Sequence, residues 1–71
     1  MPHKILAKDI VLNKDFISMR KKLRKRHSKN VDFHRAVGNL IGFIRFQCDN
    51  GYGLHIAIEM AKHEKIRRYD G

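Results

Sequence analysis

The spacing of apolar positions changes along this chain, and each change marks an element. Residues 5–12 read Ile-Leu-Ala-Lys-Asp-Ile-Val-Leu, rich in β-branched residues and without a helical stripe, which predicts an extended segment or short strand. Asn13 then supplies an N-cap oxygen and Asp15 an acid in the first turn. Leu12 and Ile17 stand at the N′ and N4 positions of a hydrophobic staple. A helix is therefore expected over residues 14–27, with Leu12, Phe16, Met19 and Leu23 as an apolar seam and Ile17 beside it.

A polar break follows at residues 27–30, where Ser28 and Asn30 are both cap candidates and Asp32 suits a following first turn. Phe33, Val37, Leu40, Ile41, Ile44 and Cys48 then recur at helical spacing and predict the main core helix over about residues 31–47. Gly38 and Gly42 lie one turn apart within it, where each costs about 0.5–1 kcal/mol relative to Ala, so their expected use is close approach of another helix.

Asp49-Asn50-Gly51 ends that helix or forms a hairpin turn. Two patterns compete beyond it. Leu54, Ile56, Ile58 and Met60 alternate with His55, Ala57 and Glu59, as a strand would require; Leu54, Ala57, Ile58 and Ala61 also make a helical stripe among strong helix formers. The fold expected is mainly α, a small three-helix domain with an N-terminal extended segment or short strand. Its alternative is an α+β fold with a β-hairpin over residues 42–60. The tail, residues 67–71, has nothing to anchor it and is expected to fray.

Size limits what such a chain can do. Seventy-one residues make one domain, which buries only about 60% of the surface its unfolded form exposes. That leaves little room for a substrate cleft with supporting groups behind it, so the expectation is a non-catalytic protein. No HExxH, GxSxG, P-loop or GxGxxG pattern occurs, and Gly51-Tyr52-Gly53 is too short to cradle phosphates. Cys48, the single cysteine, cannot form an internal disulfide and fits a reducing compartment, and as the end of an apolar stripe it reads as a small hydrophobe. With no apolar run of membrane-spanning length and no signal-peptide core, a cytoplasmic location is expected.

Charge changes the picture most. The formal net charge is +9, from 16 Lys plus Arg against 7 Asp plus Glu. Seven of those cations fall within residues 20–29: Arg20, Lys21, Lys22, Arg24, Lys25, Arg26 and Lys29, with no acid among them. Ordinary solvated helix faces mix both signs, and like charges at i,i+4 repel, so an anionic partner would relieve a strain that folding leaves in place. The expected function is a small nucleic-acid-binding or regulatory protein, contacting DNA or RNA phosphates through these seven residues with Arg35 and Arg45 as flanking contacts. The alternative is an interaction protein that binds an acidic surface of a larger protein and modulates it. A third reading, a peripheral membrane module, has only Phe16 as an aromatic anchor in the basic helix.

Other constellations are weaker. Lys21-Lys22-Leu23-Arg24 matches a short nuclear-import pattern common in basic sequences. Phe43, Arg45, Phe46 and Tyr52 would suit base stacking, against the plainer reading that the phenylalanines fill and cover the core. His55, Glu59 and His63 at i, i+4 and i+8 would share a helix face, but the set spans about 12 Å, too far for one ion without His27, His34 or Cys48 brought close. The plainer reading is a Glu59–His63 pair, and no metal or other cofactor is expected. A core so thin would gain from a homodimer through the Gly38/Gly42 face.

Five histidines give composition a testable consequence. Acidification from about pH 7.5 to 5.5 adds positive charge, so affinity for a polyanion at fixed salt should rise; equal affinities at the two pH values would contradict this.

Overall fold

The computed structural model describes residues 7–64, which form four helices and no strand. The expectation for the tail lies outside the described residues. In chain order the helices are α1 (Ala7–Val11), α2 (Lys14–Arg26), α3 (Asn30–Asp49) and α4 (Leu54–His63). The mainly α fold holds, and α3 is the central element against which α1, α2 and α4 all pack.

The first correction is at the N-terminus. Over the described part of residues 5–12, the expected extended segment is a single helical turn, closed by Leu12 N–H donating to the Lys8 carbonyl at 3.2 Å and Asn13 N–H to the Ile10 carbonyl at 3.1 Å. Burial decides against β propensity here: the turn carries Ile10 fully into the core and lets Val11 pack beside it. The same turn leaves Leu12 73% exposed, so the staple with Ile17 is not made.

Asn13 performs as its position predicts. Its backbone is extended, and its Oδ1 accepts from the amides of Asp15 (2.9 Å) and Phe16 (3.2 Å), satisfying two donors that the first turn of α2 would otherwise leave unpaired. Phe16 and Leu23 are the buried positions of α2, with Met19 partly buried between them. The helix ends at the extended His27, whose N–H donates to the Leu23 carbonyl at 2.9 Å.

Neither predicted cap opens α3. Its N-cap is Lys29, which has no side-chain oxygen to offer, and the Asn30 Oδ1 accepts instead from Arg24 Nη1 of α2 at 2.8 Å. Ala36, Leu40 and Ile44 form the buried line of α3, with Phe33, Val37, Ile41, Phe43 and Cys48 partly buried around it. The hairpin alternative fails because residues 42–49 complete this helix. Gly51 at φ +101° then terminates it, with the Gly51 N–H donating to the Cys48 carbonyl at 3.0 Å and the Tyr52 N–H to the Gln47 carbonyl at 3.2 Å. In α4 the helical stripe prevails over the alternating one: Ala57, Ile58 and Ala61 are buried, whereas Ile56 is 53% exposed.

Nine apolar side chains from all four helices make one core cluster, and no polar or charged residue is buried among the described residues. Gly38 and Gly42 stand apart from that core. A Cβ built on either meets nothing within 4 Å, so the close approach expected of them does not occur among the described residues. Gly42→Ala should accordingly raise stability by about 0.5–1 kcal/mol, whereas Asn13→Ala should lower it by about 1 kcal/mol, both read by denaturant unfolding. A destabilised Gly42→Ala would show that this face is occupied.

Candidate nucleic-acid interface

On α2 the buried Phe16 and Leu23 define the inward side. Helical geometry then puts Lys14, Ser18, Lys21 and Lys25 on the opposite side as a ridge, with Arg20 and Arg24 on one flank and Lys22 and Arg26 on the other. Lys29 extends the array into the turn before α3. All of the predicted phosphate contacts on this stretch, Arg20, Lys21, Lys22, Arg24, Lys25, Arg26 and Lys29, are exposed.

Among the described residues, no carboxylate lies within ion-pair distance of Arg20, Lys21, Lys22, Arg24, Lys25 or Lys29. Asp15 and Glu59 converge instead on Lys62 of α4, at 3.8 and 3.2 Å. The expected Glu59–His63 pair gives way to this shorter i,i+3 contact with Lys62. The helix dipole of α2 offsets part of this positive field, since Arg24, Lys25 and Arg26 occupy the last turn, where the carbonyl ends carry negative partial charge.

Arg24 differs from its neighbours in being held in place. Its guanidinium carbon lies 4.9 Å from the centre of the Phe33 ring, while Nη1 donates to Asn30, so one face of the plane is covered and one donor used. This ties the last turn of α2 to the start of α3 while Arg24 stays exposed. Sequence spacing gave no sign of it, because Arg24 and Phe33 meet across two helices and a turn.

Lys22 also borders an open groove of about 360 Å³ between α2 and α4, floored by Met19, Leu23, Leu40 and Ala61. Its charged lining mixes Lys22 and Lys62 with Asp15 and Glu64, so the groove has no strong preference for anions.

Arg35 and Arg45 are exposed too, but the helix turns them away from the Ala36–Leu40–Ile44 line, onto the outward side of α3. Because α2 packs on the inward side of α3, these arginines belong to a different face and do not flank the α2 ridge. The aromatics divide similarly: Phe43 packs against the core as the plainer reading holds, while Phe46 is 60% and Tyr52 46% exposed.

Phe16 is fully buried, which removes the one aromatic anchor that α2 would offer a membrane surface. Among the described residues, no helix is long and apolar enough to cross a membrane, and no group of three or more His, Cys, Asp or Glu could hold a metal ion. Burial, and secondarily the charge of Asp49, pushes the Cys48 thiol above its usual range, which suits a packed side chain and disfavours a nucleophile. Cys48 should therefore alkylate more slowly at neutral pH in the folded protein than in urea; equal rates would contradict its packing. Compared with protein families, with curated proteins and with solved structures, the chain matches none.

Proposed function

We propose that this chain is a small, non-catalytic nucleic-acid-binding or regulatory protein that engages phosphates through the exposed face of α2. The observation supporting this most is a set of exposed cations on one packed helix, of which Arg20, Lys21, Lys22, Arg24 and Lys25 have no carboxylate within ion-pair distance among the described residues. Lys21 and Lys25, on the crest, would meet a phosphate backbone first. Arg20, Arg24, Lys22 and Arg26 would reach phosphates to either side, and Lys29 would extend the contact towards α3.

Such binding is electrostatic and independent of base sequence. Each phosphate neutralised releases condensed counterions, so five contacts correspond to a log-log salt slope of about −4.5 on duplex DNA or about −3.5 on a single strand. The free thiol of Cys48 fits a reducing compartment, and we place the protein in the cytoplasm. A second reading, docking on an acidic protein, draws on the arginines of α3.

Arg20→Glu, Lys21→Glu and Lys25→Glu together leave the Arg24–Phe33 contact and the core intact. This variant should keep its circular dichroism and lose at least about 100-fold in affinity for duplex DNA or single-stranded RNA, with a salt slope shallower by about 2–3. Retained affinity and slope would refute the assignment.

A further inference from the structure

Of the two cap candidates in the break between α2 and α3, the fold uses only Asn30, which accepts from Arg24. Ser28 is exposed, and among the described residues its hydroxyl makes no hydrogen bond. The residues on either side of it have extended backbone, His27 at φ −117°, ψ 111° and Lys29 at φ −82°, ψ 132°. Just before it in sequence stand Arg24, Lys25 and Arg26, the exposed last turn of α2, and the nearest acid in sequence is Asp32, four residues on. The chain's other serine, Ser18, lies inside α2 with Asp15 three residues before it, and there is no threonine.

We propose that Ser28 is a phosphorylation site for a basic-directed serine kinase, and that its phosphate acts as a counter-charge to the end of α2. Such an enzyme selects substrates by charge, taking Lys or Arg two and three residues before an extended serine into an acidic groove. Arg26 and Lys25 fill those two positions. Ser18 fails on both counts, since its backbone is helical and Asp15 would meet the acidic groove. Presenting Lys25 and Arg26 in extended form opens the last turn of α2, which repulsion from Lys21 and Lys22 one turn earlier already weakens.

In the transfer step the Ser28 Oγ bonds to the γ-phosphorus of ATP as the bond to the bridging β,γ oxygen breaks. ADP leaves with that electron pair, and the hydroxyl proton passes to the kinase's own base. The product carries about −1.5 to −2 at pH 7, against seven cations in residues 20–29. Two consequences follow from that charge. Repulsion within the folded chain falls, which depends on the fold alone; the grip of α2 on nucleic-acid phosphates also falls, which rests on the function proposed for α2.

The test treats the whole chain with a purified basic-directed serine kinase and ATP. Intact mass should show one added phosphate, mapped by fragmentation to Ser28. Ser28→Ala should take up none and Ser18→Ala as much as wild type. Lys25→Ala with Arg26→Ala, at unchanged circular dichroism, should slow incorporation at least about tenfold. Phosphorylation should raise the thermal midpoint in 0.01 M sodium chloride by at least about 2 °C, a gain that about 0.3 M salt removes. Affinity for duplex DNA should drop at least about tenfold, with a salt slope shallower by about 1–2. No incorporation, incorporation at Ser18, a rate indifferent to Lys25 and Arg26, or a lowered midpoint would overturn the proposal. A chain that is phosphorylated at Ser28 with a raised midpoint, yet binds no nucleic acid before treatment, would refute the reading of α2 and uphold Ser28. One that binds nucleic acid but takes up no phosphate would do the reverse.

Discussion

Phe16 and Leu23 of α2 join Leu40 and Ile44 of α3 in a core of nine buried side chains among the described residues, and this packing holds a heavily cationic helix on the protein. Burying those two residues fixes the rotation of α2 about its own axis. Every Lys and Arg of residues 20–26 is then exposed, where water and salt can screen it. A core that small cannot contribute much beyond holding the helices together, and the structure adds few other devices: the Asn13 cap, the Arg24–Phe33 contact and the Gly51 stop. Asp15, in the first turn of α2, and Glu59 of α4 both lie against Lys62 and not against the cations of residues 20–25.

Much of this was legible because the deciding signals are local. Asn13 is a cap by residue type and position, the Phe16–Leu23 spacing marks an inward side, and Gly51 tolerates the positive φ that a helix stop needs. The two-fold ambiguity after Gly42 arose because one apolar set satisfies both periods, and packing of the small Ala57 and Ala61 into the core resolves it towards a helix.

What local pattern missed depends on contacts distant in sequence. The β-branched run before Asn13 coils into α1 because that turn delivers Ile10 to the core, a benefit no window of residues 5–12 contains. Asn30 is diverted from capping by Arg24. Arg35 and Arg45, counted with α2 on charge alone, separate from it once the packing side of α3 is known. Two positive surfaces therefore exist where composition indicated one, and they differ in kind: a dense array of exposed charge on α2, and a sparse pair of exposed arginines on the outward side of α3.

The central claim is that the folded chain carries repulsion its own carboxylates do not relieve. Thermal unfolding measured by circular dichroism across a sodium chloride series tests it most directly. If the charges of α2 are uncompensated, screening relieves the folded state more than the expanded one, and the midpoint should climb steadily between about 0.01 and 0.3 M salt. A midpoint that falls over that range would mean that favourable ion pairs hold the fold together, and would contradict the account.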